Sequence, residues 1–191
     1  MQNVRVFLAA ILGLFLCAPV FSDEENERMR KSFPEALKKA IEGDAEAQFL
    51  TGSFYNYGDG IITEDKAKAL KWWLKAAEQG YAKAQVGLGE LYYRGDGVPQ
   101  DYAEAVKWYG KSAEQGDAMA QHSLGAMYGN GDGVPQDYAK AYMFFNLASV
   151  SHDEARKSRD KVIKRMTKEQ IAEGQKLTRE WIARKAKEKG Q

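Results

Sequence analysis

The pattern of apolar and polar positions predicts helices of about a dozen residues, arranged in pairs. Ala84, Leu88, Gly89 and Tyr92 recur at helical spacing and give one apolar face. Gly95-Asp96-Gly97 then stops the helix, because glycine readily adopts the positive φ needed after a helix end. Pro99 lies just inside or before a second helix, where a missing N–H costs nothing. Asp101 places negative charge at that helix's positive dipole end. The second helix carries Ala105, Trp108, Tyr109, Ser112 and Ala113 on its packing stripe and stops at Gly116.

The same pair occurs three times. One unit runs Ala47-Gln48, Gly52, Tyr55, Gly58-Asp59-Gly60, Ala69, Trp72-Trp73, Ala77-Glu78-Gln79-Gly80. The next runs Ala84-Gln85 through Gly89, Tyr92, Gly95-Asp96-Gly97, Ala105 and Trp108-Tyr109 to Ala113-Glu114-Gln115-Gly116. The third runs Ala120-Gln121, Gly125, Tyr128, Gly131-Asp132-Gly133, Pro135, Asp137-Tyr138, Ala141, Phe144-Phe145, Ala148. The leading alanines are 37 and then 36 residues apart, with an echo at Ala155 after 35. One extra residue near Ile61-Ile62-Thr63 accounts for the 37. A single helix pair cannot bury its apolar face, whereas a stack of pairs can. The expected fold is therefore all-α, a helix-turn-helix solenoid.

The ends of the array differ from its middle. Ser32-Phe33-Pro34-Glu35 resembles a capping box, so residues 34–46 read as a half-repeat helix after a disordered lead, 23–33. The units are then 47–83, 84–119 and 120–152. Residues 153–191 read as a basic helical cap of two helices, the second opened by the capping box Thr167-Lys168-Glu169-Gln170.

These residues resemble a known family. The run Ala-Gln, Leu-Gly, Met-Tyr, Gly-Asp-Gly-Val-Pro-Gln-Asp-Tyr-Ala, Ala-Glu-Gln-Gly is similar to the Sel-one-like repeat (SLR), a relative of the tetratricopeptide repeat, across roughly residues 35–155. The first unit departs at Ile61-Ile62-Thr63-Glu64, and the third loses Ala-Glu-Gln-Gly after Ala148. The resemblance implies a right-handed superhelix with first helices lining a concave face. It also implies adaptor or scaffold work, often in exported bacterial proteins.

The N-terminus speaks to export directly. Arg5 precedes the apolar run Val6 to Leu16, the length of a signal-peptide core and short of the roughly 20 apolar residues of a membrane span. Val20 and Ser22 place cleavage between Ser22 and Asp23, giving a signal peptide of residues 1–22 and a periplasmic or secreted product with no stable membrane span. An uncleaved anchor and a lipoprotein at Cys17 are the alternatives; bulky Leu16 before Cys17 argues against the second. Cleavage would leave no cysteine, so no disulfide framework is expected. Charge is uneven. Residues 23–155 hold 14 Lys and Arg against 22 Asp and Glu, and residues 156–191 hold 13 against 5, an acidic body with a basic end. Export argues against nucleic acid as the basic end's partner.

Repeated positions are those that stack, so specificity is expected at positions that vary. On the arc opposite the packing face, the first unit has Glu46, Phe49, Ser53, Asn56 and Tyr57. The second has Lys83, Val86, Glu90, Tyr93 and Arg94, and the third has Met119, His122, Ala126, Gly129 and Asn130. Phe49, Tyr57, Tyr93, Met119 and His122 are the preferred contacts, because exposed aromatics and Met are common anchors. The expected function is a non-catalytic adaptor holding a protein or peptide. The alternatives are a cell-wall-active or β-lactam-binding protein and a secreted factor acting on a host cell.

Other chemistry is weak in this sequence. Ser158-Arg159-Asp160-Lys161 matches Ser-x-x-Lys, but Ser-Asp-Asn and Lys-Thr-Gly are missing and the match falls in a charged helix. His122 and His152, the only histidines, have no second ligand at metal spacing, and one Asp per Gly-Asp-Gly turn is too few for calcium. No metal or cofactor is expected.

Overall fold

The computed structural model describes residues 23–58 and 62–190, with backbone alone for residues 23–31. Among the described residues nine helices follow one another and no strand occurs. They are α1 (Asp23–Ile41), α2 (Ala45–Tyr57), α3 (Lys66–Glu78), α4 (Ala82–Arg94) and α5 (Tyr102–Glu114). Then come α6 (Ala118–Asn130), α7 (Tyr138–Ala148), α8 (Asp153–Ile163) and α9 (Lys168–Lys189). The segment preceding Asp23, with its cleavage site and Cys17, lies outside the described residues. No helix among the described residues is long and apolar enough to cross a membrane.

Helices pair as α2/α3, α4/α5 and α6/α7, and each second helix also packs on the first helix of the next unit. Aspartates start most of them. The carboxylates of Asp44, Asp65, Asp101, Asp117 and Asp137 accept a backbone N–H from three residues on, at 2.6–3.0 Å. Gly95 and Gly131 close α4 and α6 with left-handed φ of 70° and 86°. Pro99 and Pro135 lie in the connecting loops, short of the helices they precede.

The repeated glycine inside each first helix is a seat for a ring. An added Cβ at Gly52, Gly89 or Gly125 would fall 2.3–2.7 Å from Trp73, Tyr109 or Phe145 respectively. Helix and ring thus approach closely at the same place in every pair. The repeated glutamines clasp one unit to the next. Gln48, Gln85 and Gln121 donate to the carbonyls of Ala40, Ala77 and Ala113. Gln79 and Gln115 donate back to Gln48 and Gln85 at 2.8 Å, and to the carbonyls of Gly43 and Gly80 at 3.0 Å. Ser151 stands where a third such glutamine would be, so this clasp stops where the repeat pattern stops.

The N-terminal end corrects the sequence reading. Residues 23–33, expected as a disordered lead, carry helical backbone continuous through Pro34. The tertiary reason is Phe33, whose ring sits edge-on to Phe54 (5.2 Å) and Tyr55 (5.7 Å) and draws the chain before Pro34 onto α2. Pro34 is exposed, so its missing hydrogen bond is lost on the wet side. At the other end α8 takes the place of a fourth first helix, whereas α9 packs on α7 instead of closing a fourth hairpin. The cause is readable on α7. Two positions that are Lys71 and Lys75 on α3, and Lys107 and Lys111 on α5, become Met143 and Leu147. Leu177 and Trp181 of α9 pack on that apolar strip, with Trp181 edge-on to Phe144 at 5.6 Å. Gly174 lets α9 approach Tyr142, and Arg184 and Lys185 bind Glu114 of α5 at 3.0 and 2.8 Å.

Candidate functional site

The varying positions of α2, α4 and α6 form rows, one residue per unit, and burial sorts the rows. Glu46, Lys83 and Met119 are all exposed at the start of their helices. Tyr57, Arg94 and Asn130 are all exposed at the ends. Tyr57 (58% exposed) and Met119 (40%) are the two large apolar side chains in these rows. The rows between are half-buried or buried.

Phe49 and Asn56 leave the candidate surface. Phe49 is only 5% exposed, its ring stacked on Trp73 at 5.9 Å and tilted against Tyr81 at 5.4 Å. An aromatic at this position finds an aromatic floor inside its own unit, which helical periodicity does not reveal. Asn56 is buried and accepts from the Lys66 ammonium at its side-chain and backbone oxygens, at 3.3 and 3.0 Å. Lys66 also pairs with Asp96 at 3.0 Å, tying the first unit to the loop of the second.

Three further residues are half-buried and committed to neighbours. Ser53 donates to the carbonyl of Phe49 at 2.9 Å. Glu90 pairs with Arg94 and accepts from the Tyr109 hydroxyl at 2.8 Å. Burial, with Glu90 beside it, pushes the Tyr109 phenol far above its ordinary range. Tyr93 leans on Tyr102 at 5.2 Å, and burial, reinforced by Asp132, raises its pKa. Val86 is half-buried against the core that holds Tyr109 and Leu124. Tyr81, which the sequence reading left unnoticed, is raised to about 12 by burial and by Glu46 and Asp44.

His122 is where the structure brings together most of what the sequence kept apart. Its Nε2 lies 3.1 Å from the Ser158 hydroxyl of α8, and its ring meets Phe145 at 5.4 Å and His152 at 5.1 Å. Burial lowers its pKa, His152 adds to that, and Glu154 opposes it. Ser158, Arg159, Asp160 and Lys161 occupy the middle and last turn of α8. There Arg159 pairs with Asp160 at 3.0 Å and donates to Asn146 at 3.1 Å. No group of three or more His, Cys, Asp or Glu side chains is assembled for a metal among the described residues.

The model of the Sel1 repeat matches residues 45–81, 82–117 and 118–149. Each match starts at the first residue of α2, α4 or α6, two residues ahead of the unit starts read from the alanines. No match is found among proteins of curated function. Among solved structures, a Sel1 repeat protein from Oxalobacter formigenes is 33% identical with a TM-score of 0.66, over 70% of this chain and 54% of that one. The chain thus spans about half the length of that protein. A protective antigen present in uropathogenic Escherichia coli strains, with an SLR fold, is 27% identical with a TM-score of 0.54, over 83% of this chain and 42% of that one. Cysteine rich protein B of Helicobacter pylori shares the fold, at 21% identity and a TM-score of 0.53, over 68% of this chain and 93% of that one. The three contiguous matches cover more than half of the sequence and end where the glutamine clasp ends, and on them this chain belongs to the Sel1 repeat family.

Proposed function

We propose that this protein is an exported, non-catalytic scaffold that binds a protein or peptide on the concave face formed by α2, α4 and α6. Sel1 repeats are generally protein-interaction scaffolds and typically non-catalytic. The observation that carries the reading is the sorting of positions by burial. The repeated Ala, Gln and Gly of the first helices are buried and the repeated Tyr half-buried, and the exposed rows Glu46, Lys83, Met119 and Tyr57, Arg94, Asn130 are those that change from unit to unit. Such a surface costs little stability to diversify, and a preformed helical scaffold lowers the ordering entropy of association. Phe49 and Asn56 are no part of it; Val86, Ser53, Glu90, Tyr93 and His122 shape its floor. Export rests on the Val6 to Leu16 run and the cleavage site after Ser22.

The test is a crosslinking pull-down from the native envelope with wild type and with Tyr57→Ala/Met119→Ala. Weaker capture at an unchanged melting temperature is the expected result. Undiminished capture would place the binding surface elsewhere. A cell-wall-active reading draws on one contact, the Ser158 hydroxyl beside the His122 imidazole. That imidazole's ring neighbours are Phe145 and His152, where an activated serine needs an orienting group such as a carboxylate. Covalent labelling by a labelled β-lactam, lost in Ser158→Ala, would favour it over the scaffold.

A further inference from the structure

We propose that His122 and His152 form a two-imidazole binding site for a divalent transition-metal cation at the junction of α6 and α8. The chain has only two histidines, 30 positions apart in the sequence, and the fold sets them ring to ring. Their centroids are 5.1 Å apart with planes at 75°. A metal–nitrogen bond of about 2.0–2.1 Å, with about 1.1 Å more to the ring centre, puts two imidazoles on one ion roughly 4.5–5.2 Å apart for ligand angles between square and tetrahedral. The observed separation lies inside that interval, as two imidazoles on one ion require.

The surroundings match the demands of such a site. A ligating imidazole is oriented by a hydrogen bond from its other nitrogen, and the His122 Nε2 has the Ser158 hydroxyl at 3.1 Å. With Ser158 accepting, Nδ1 carries the lone pair. Both histidines are half-buried, so an ion would reach them and keep waters of its own. His152 precedes α8 with its side chain uncommitted to capping. Glu154, two residues on and coupled electrostatically to His122, supplies a carboxylate that now pairs with Lys157 at 3.1 Å. The preformed part is the imidazole pair, and Glu154 would join it by releasing Lys157. Imidazole donors with open positions favour Cu2+ over Ni2+ and Zn2+. An ion there would tie α6 to the turn that leads into α8, because His122 belongs to α6 and His152 immediately precedes α8.

The experiment uses the full chain with no added histidine tag. Cu2+, Ni2+ and Zn2+ are titrated separately by calorimetry, and the Cu2+ form is examined by electron paramagnetic resonance. One-to-one binding with Cu2+ tightest is expected, with coupling to two imidazole nitrogens. Affinity should fall about tenfold or more in His122→Gln and His152→Gln, and about tenfold in Ser158→Ala. No saturable binding, unchanged affinity in His152→Gln, or coupling to fewer than two imidazoles would overturn the proposal. Should His122→Gln lose its helical circular dichroism, His152→Gln, which alters only the turn before α8, decides the matter.

Discussion

The same substitution, glycine to alanine inside a helix, should have opposite effects at Gly89 and Gly110. Alanine is favoured over glycine in a helix interior by about 1 kcal/mol, since it restricts the unfolded chain. At Gly110, in the middle of α5, an added Cβ would meet nothing within 4 Å, so Gly110→Ala should gain most of that. At Gly89 the Cβ would fall 2.7 Å from Cδ1 and Cε1 of Tyr109 and 2.9 Å from Cγ. Carbon atoms pack best at about 3.5–4.0 Å, so the ring must retreat by close to 1 Å. Tyr109 has little room to do so. It is 2% exposed and its hydroxyl is held by Glu90 at 2.8 Å. Overpacking of this kind costs about 1–3 kcal/mol, so against the gain of about 1 kcal/mol Gly89→Ala should lose up to about 2 kcal/mol net. Thermal melts followed at 222 nm read the difference, with each kcal/mol worth about 2–4 °C in a chain of this size. Gly110→Ala should melt above wild type and Gly89→Ala below it. If both variants gain equally, the repeated glycines are not seats for rings, and the account given of the repeat is wrong.

Further outcomes follow from single contacts. Thr51 occupies the position of Leu88 and Leu124, fully buried, with its hydroxyl lacking a partner among the described residues. Thr51→Val should stabilise by about 1 kcal/mol, because a buried unmade hydrogen bond is removed at constant shape; urea midpoints at equal m-values check this. Trp181→Ala should release α9 from α7, read as faster proteolysis after residue 168 with helices α2 to α7 still protected. Equal protection would mean that Gly174 and the Glu114 ion pairs hold α9 alone. Alkaline pH should weaken the fold. The folded phenols of Tyr81 and Tyr109 keep their protons above the ordinary value of 10, so stability falls as pH rises from about 10. The Tyr81→Phe/Tyr109→Phe variant should flatten that slope, and an unchanged slope would assign it to other tyrosines.

Much of this architecture follows from the sequence alone, because what holds it together is local or repeats at a fixed offset. Asp101 and Asp137 announce helix starts through bonds spanning three residues, and Gly95 and Gly131 end helices by their own backbone freedom. Ala84, Gln85 and Gly89 recur as Ala120, Gln121 and Gly125 because each unit presents the same face to its neighbour. The role of the glutamines was nonetheless silent, since their partners lie on another helix, of the same unit or of the preceding one. Tertiary structure decided what depends on one particular neighbour. Phe49 and Tyr57 share an arc of α2, yet only Phe49 has Trp73 and Tyr81 to fold against. Helix α1 runs through Pro34 because Phe33 finds Phe54, and α9 leaves the solenoid because Met143 and Leu147 replace lysines. The meeting of His122 with His152 and Ser158 belongs here too. Periodicity fixes the face on which a residue lies, but burial and contact are set by what the next helix brings to that face.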